Sequence, residues 1–143
     1  MNQTANITVP ADVRFLEVVA LFVSRMAELA GMRTDDVHRI ELAVDEACTN
    51  VIKHSYAYDG SQLYSVSCTF DDRTFTIHVE DRGKPFDPEA VPEPDRRSPL
   101  ENRTIGGLGL FLIRETMDEV THSRLPDGTK RLTLKKTISN DRK

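Results

Sequence analysis

The sequence predicts one α+β domain in which helices cover one face of a mixed, mostly antiparallel sheet. Its 143 residues suffice for a single hydrophobic core but not for two of ordinary size, so we treat residues 1–143 as one domain. The strand patterns occur in two hairpins, whose strands pair antiparallel. The two long helical patterns adjoin in sequence and can cover only one sheet face. This favours a two-layer sandwich over a doubly wound parallel sheet.

The first elements are a short strand and two helices. Residues 7–9 are predicted to form a short strand. Asp12 is expected to cap the amino end of a first helix, which ends at Gly31. Thr34 is expected to cap the second helix, which continues to about Ser55. Apolar residues on the second helix recur every three or four positions and form a stripe that must face a core. These residues are Val37, Ile40, Val44, Ala47 and Val51.

Further along the chain the hydrophobic period changes to two. Residues 64–70 and 75–79 alternate apolar and polar side chains, and residues 71–73 join them by a turn. Two more alternating strands follow near the carboxyl end, joined at residues 126–128. Alternation of this kind predicts antiparallel hairpins with one buried face.

Between the hairpins lies a proline-rich segment and then a third helix. Five of the seven prolines fall between residues 85 and 99, so residues 85–104 cannot form regular helix or central strand. A loop of this length inside a compact domain is uncommon unless it is functional. The third helix opens at residues 106–109 and extends to about Met117. The predicted order is therefore β-α-α-β-β-loop-α-β-β.

Composition excludes several functional classes. The longest apolar run has six residues, from 18 to 23, too short for a membrane-spanning helix. Residues 1–13 carry no secretory-signal pattern, so we expect a cytoplasmic protein. The net charge of −4, with scattered basic residues, argues against direct nucleic-acid binding. Cys48 and Cys68 have no metal-ligand spacing and are interpreted as buried free thiols.

Polar residues on the second helix are candidates for a site. Glu46, Asn50 and His54 recur at intervals of four and therefore lie along one side of the helix. Asn50 could offer a neutral oxygen to Mg²⁺, and Glu46 could accept a proton. A solvent-exposed helix face is the alternative explanation of the same spacing. His54 lies near the carboxyl end of the helix, where a cation interacts favourably with the helix dipole, and we interpret it as a capping residue.

Two glycine-containing segments are further candidates. Asp81 ends a strand and could accept a hydrogen bond from an exocyclic amine, while Gly83 would admit a flat ring near the backbone; turn chemistry is the alternative. Residues 106–109 contain three glycines where a loop becomes a helix, and the unpaired N–H groups of such a helix start bind phosphate. Tight packing at the loop exit explains the same glycines.

Taken in order, these segments resemble a known family. They match the three motifs of the GHKL ATP-binding superfamily, which are Glu46-x-x-x-Asn50, Asp81-x-Gly83 and Gly107-x-Gly109. The segments DEACTNVIKHSY, VEDRGKPFDP and IGGLGLFLIRETMDEV are similar to the anti-sigma-factor serine-protein kinases of that superfamily. The resemblance implies a Bergerat-type sandwich with an ATP lid at about residues 85–105.

The resemblance also implies a role for each matching residue. Asn50 would ligate Mg²⁺, Glu46 would be the base for an incoming serine hydroxyl, and Asp81 would bind the adenine amine of ATP or ADP. The remaining matches would contact the nucleotide through the backbone, with Gly83 under the adenine and the other three at the phosphates. Those three are Gly107, Leu108 and Gly109.

Two assignments stay open within the resemblance. The lid arginine that neutralises phosphate charge is Arg103 or one of Arg96 and Arg97, and the strand threonine that supports the adenine acid is Thr133 or Thr129. Relatives often carry a further glycine where this chain has Lys84, which leaves the base and the metal ligand unaffected.

The implied function is an ATP-dependent serine-protein kinase and anti-sigma factor. Its partner would be a STAS-type anti-sigma-factor antagonist, with a sigma factor as a second partner and a homodimer left open. An alternative is a nucleotide-sensing protein that sequesters a partner without transferring phosphate.

Overall fold

A computed structural model of the chain describes residues 2–84 and 113–139, and these residues form a five-stranded sheet with two long helices on one face. Residues 113–116 are also helical, as the predicted third helix requires. The strands are β1 (Gln3–Pro10), β2 (Leu63–Phe70), β3 (Thr74–Asp81), β4 (Glu119–Arg124) and β5 (Lys130–Thr137). The helices are α1 (Leu16–Ala30), preceded by a 3-10 turn at Val13–Phe15, and α2 (Thr34–Asn50), continued by a π-helical segment at Val51–Ser55.

The sheet order is β1-β2-β3-β5-β4, and every strand pair in the described ranges is antiparallel. The α+β sandwich predicted from the hairpins is confirmed, while the parallel component of the expected mixed sheet does not occur among these strands. β1 is longer than the predicted residues 7–9 because its polar first half pairs with β2 although it carries little apolar pattern.

The core lies between the helices and one sheet face. Alternate residues of β2 and β3 are buried, as predicted, together with the predicted stripe of α2. On α1 the buried residues are Val19, Val23, Ala27 and Ala30. The fully buried large side chains include Tyr64, Phe75, Ile40, Ile77 and Leu134. The opposite sheet face carries hydroxyl and charged side chains, so the two faces differ sharply in polarity.

Helix ends agree in part with the sequence prediction. The Asp12 side chain accepts a hydrogen bond from the Arg14 N–H at the start of the 3-10 turn, and Gly31 ends α1 in the left-handed conformation with φ of 90°. The expected capping role of Thr34 is wrong. Arg33 occupies the N-cap position in extended conformation without a side-chain cap, and Thr34 is already helical.

α2 reaches Ser55, as predicted, but its last turn widens. The segment Val51–Ser55 is π-helical and follows directly after Asn50. π-helical turns are rare and occur frequently at functional sites. The change of geometry therefore marks the point at which α2 carries its candidate metal ligand.

Candidate functional site

A cavity of about 220 Å³ lies between the end of α2, the end of β3 and the β4–β5 hairpin. Asn50 and Asp81 both line it, together with an apolar wall that includes Val79 and Ile113. Binding sites for drug-sized molecules usually have volumes of about 300–1,000 Å³. The cavity is smaller than this range, so the described residues can enclose only part of a nucleotide. An apolar wall beside a carboxylate suits a flat base that carries an amine.

Asp81 is buried, with 7% of its surface exposed. The Gly83 N–H donates to Asp81 Oδ1 at 2.8 Å, and Lys130 Nζ lies 3.3 Å from the same oxygen. Among residues 2–84 and 113–139, no donor contacts Oδ2. Asp81 therefore offers an acceptor oxygen at the cavity, which fits the predicted hydrogen bond from the adenine amine.

Gly83 packs so closely against Ser55 that the position has no room for a side chain. A Cβ at this position would lie 2.3 Å from the carbonyl oxygen of Ser55. The adjacent Lys84 N–H donates to that oxygen at 2.7 Å, so the turn packs directly on the end of the π-helical segment. Close backbone packing thus explains the glycine, and its position beneath a base stays a prediction.

Glu46 lies one helical turn before Asn50 and is half-buried. Burial raises the pKa of Glu46, and the neighbouring Asp45 carboxylate raises it further. A carboxylate with a raised pKa is a better proton acceptor than a fully hydrated one. This environment is consistent with the base role that the resemblance implies.

His54 belongs to the π-helical segment, near the end of α2 as predicted. Burial lowers the pKa of His54, and the adjacent Lys53 lowers it further. The lowered pKa disfavours the charged form, so the expected role of His54 as a C-terminal cation is weakened.

Thr133 does not belong to the cavity. Its hydroxyl lies 3.0 Å from Nδ1 of His78, and these two residues are partners across β3 and β5 on the face away from the helices. The assignment of Thr133 as the residue that supports Asp81 is therefore wrong. Thr129, which is buried beside the start of β5, is the remaining candidate.

The other candidates lie outside the described residues. These are Arg103, with its alternatives Arg96 and Arg97, the predicted lid, and the backbone of Gly107, Leu108 and Gly109. Their roles stay predictions from the sequence.

Tyr56 and Lys130 contribute to the site but were not among the predicted residues. The Tyr56 hydroxyl accepts a hydrogen bond from the Arg82 N–H at 2.8 Å and donates to the Leu63 carbonyl at 3.0 Å, which fastens the Asp81 turn to β2. The contact of Tyr56 with Arg82 spans 26 residues, and Lys130 pairs with Asp81 across the sheet, so local spacing carries no signal for either residue.

The described residues contain no cluster of three or more His, Cys, Asp or Glu side chains that could hold a metal ion by itself. Mg²⁺ usually takes one or two protein ligands and completes its shell with water and substrate phosphates. Asn50 at the cavity wall fits that mode of binding. Cys48 and Cys68 are buried free thiols, as predicted.

Within the described ranges, no helix has the length and apolar character needed to span a bilayer.

The chain matches the model of the histidine kinase-like ATPase domain over residues 9–136. It is 42% identical over 122 residues to the serine-protein kinase RsbW of Halalkalibacterium halodurans, covering 82% of this chain and 74% of that protein. It is 32% identical over 116 residues to RsbW of Bacillus cereus, covering 78% and 72% respectively.

Solved structures show the same fold. The crystal structure of the RsbU and RsbW domains of Rv1364c from Mycobacterium tuberculosis matches with a TM-score of 0.68 at 19% identity. That match covers 96% of this chain and 33% of the other. A chain of the SiaB-SiaC complex from Pseudomonas aeruginosa matches with a TM-score of 0.56 at 13% identity, covering 94% and 89%.

Proposed function

The chain belongs to the histidine kinase-like ATPase domain family and, within it, to the RsbW serine-protein kinases; from that premise we propose that it transfers the γ-phosphoryl group of ATP to a serine of a STAS-type anti-sigma-factor antagonist. The observation that carries the proposal is that Asn50 and Asp81 line one cavity, with Glu46 one turn before Asn50 on α2. This is the arrangement that nucleotide binding followed by proton abstraction needs.

The proposed roles divide between holding the nucleotide and accepting a proton. Asp81 accepts the hydrogen bond of the adenine amine through Oδ2, and the apolar wall holds the base. Asn50 would hold Mg²⁺, which neutralises charge on the phosphates when bound. The backbone amides of Gly107, Leu108 and Gly109 and the arginine at 103 complete the phosphate site in the proposal.

Glu46 takes the proton from the partner's serine hydroxyl as the hydroxyl oxygen attacks the γ-phosphorus and the bond to the β-γ bridging oxygen breaks. ADP leaves with the electron pair of that bond. Phosphoryl transfer depends mainly on positioning and charge neutralisation, so the protein's contribution is the geometry of the site. We place this exchange in the cytoplasm, where the sigma factor that the chain would hold acts on transcription.

The test is transfer of label from γ-³²P-ATP to a purified STAS-domain antagonist. The proposal expects label on one serine of the antagonist, dependent on the kinase chain and absent when that serine is replaced by alanine. A stable complex that forms with nucleotide but leaves the antagonist unlabelled would instead favour a sequestering protein that transfers no phosphate.

A further inference from the structure

Lys130 lines the cavity, and 16% of its side chain is exposed. Lys130 Nζ donates to Ser55 Oγ at 2.8 Å and to the Lys84 carbonyl oxygen, and it lies 3.3 Å from Asp81 Oδ1. The ammonium group therefore makes two hydrogen bonds, to Ser55 and to Lys84, and an ion pair with Asp81. A buried charge is stable only when it is paired and hydrogen-bonded in this way.

These acceptors come from two different parts of the fold. Ser55 ends the π-helical segment after α2, while Asp81 and Lys84 belong to the end of β3 and the turn that follows. Lys130 begins β5 and is the cross-strand partner of Asp81. Lys130 therefore joins the helix that carries Asn50 to the strand that carries Asp81.

Contact with Lys130 fixes the orientation of the Asp81 carboxylate. The terminal torsion of an aspartate is broad, so a carboxylate held by one donor can rotate. Here the Gly83 N–H and the Lys130 ammonium both contact Oδ1, which leaves Oδ2 for a ligand. We propose that Lys130 is a positioning residue that orients Asp81 toward the 6-amino group of adenine and so determines adenine selectivity.

This inference rests on the proposed function, since it assumes that Asp81 binds the base. A purely structural ion pair predicts a different outcome. If Lys130 only stabilised the fold, its loss would weaken every nucleotide by the same factor. If it orients Asp81, its loss must weaken a nucleotide that carries the 6-amino group more than one that lacks it.

The experiment compares ADP with purine riboside 5′-diphosphate, which has no 6-amino group, by calorimetric titration of the full chain. The ratio of the two dissociation constants measures selectivity for the amine. A hydrogen bond to a charged group predicts a ratio of roughly 10- to 150-fold in the parent protein. Lys130→Met should lower that ratio by about tenfold or remove it.

Three further variants make the comparison interpretable. Asp81→Asn should abolish the selectivity, since it changes the acceptor itself. Lys130→Gln keeps a donor and should give an intermediate ratio, which also preserves the test if Lys130→Met fails to fold. Lys135→Met is the matched control, because Lys135 lies on the same strand but faces the outer side of the sheet. Its ratio should equal that of the parent.

The outcomes separate this inference from the proposed function. A reduced ratio in Lys130→Met or Lys130→Gln, with Lys135→Met unchanged, supports the positioning role. Equal weakening of both nucleotides in the Lys130 variants, while Asp81→Asn still loses selectivity, overturns the role of Lys130 and leaves the Asp81 assignment standing. Unchanged selectivity in Asp81→Asn overturns the adenine assignment itself, and the positioning role with it.

Discussion

Replacing Gly83 with alanine tests how the Asp81 turn is held against α2. The added Cβ would lie 2.3 Å from the Ser55 carbonyl oxygen and 2.7 Å from both the carbonyl carbon and the Cβ of Ser55. Carbon atoms in contact are optimally about 3.5 Å apart, so the turn must retreat by roughly 1 Å. The obstructing atoms include backbone, which cannot rotate away as the end of a long side chain can.

Two effects of Gly83→Ala follow from that shift. Overpacking typically costs about 1–3 kcal/mol of unfolding free energy. The retreat also lengthens the hydrogen bond from the residue 83 N–H to Asp81 Oδ1, now 2.8 Å, and so disturbs the orientation of the carboxylate. We expect ADP affinity to fall by about tenfold, the loss of one ordinary hydrogen bond.

Urea unfolding followed by circular dichroism measures the first effect, and calorimetric titration with ADP measures the second. Gly60→Ala is the matched control, since a Cβ there would meet its nearest neighbour, Asp12, at an ordinary 3.8 Å. That variant should stay within about 0.5 kcal/mol of the parent. Parent-like stability and ADP affinity in Gly83→Ala would refute the packing argument.

Three other predictions follow from the described contacts and pKa shifts. Burial raises the pKa of both Cys48 and Cys68 to about 12, so a thiol reagent at pH 8 should modify neither in the native protein and both after unfolding. Because burial raises the pKa of Glu46 above the ordinary 4.5, its base form is lost on acidification at a higher pH than in a free glutamate. The single-turnover transfer rate should therefore rise with pH through a midpoint above 4.5. The Glu46→Gln variant should not show this rise. Tyr56→Phe removes the acceptor for the exposed Arg82 N–H, and since water can replace that acceptor, urea unfolding should show a loss of only about 0.5–1.5 kcal/mol.

Most of the fold could be predicted from local pattern. Alternation in the two hairpins and the core-facing stripes of the helices depend only on neighbouring residues, and both agree with the structure. Gly31 was identifiable as a helix end because few other residues adopt its left-handed conformation. Thr34 was misassigned because hydroxyl residues are common both at the N-cap and just inside a helix.

The site was predictable only where the family motifs fixed it. Spacing alone did not bring Asn50 and Asp81 to one cavity, since that depends on how α2 lies across the sheet. Thr133 could have been excluded, because its neighbour Leu134 is apolar and adjacent strand residues face opposite sides. Lys130 gave no signal, since its role depends on the register that pairs it with Asp81.

The most direct test of the central claim separates proton transfer from nucleotide binding in two variants of α2. Single-turnover transfer from ATP to the STAS-type partner is measured beside nucleotide affinity, with and without Mg²⁺. Glu46→Gln should slow transfer by roughly 10²- to 10⁴-fold with little change in ATP affinity. Asn50→Ala should lose Mg²⁺-dependent binding and transfer together. Transfer by Glu46→Gln at the parent rate would contradict the assignment of Glu46 as the base.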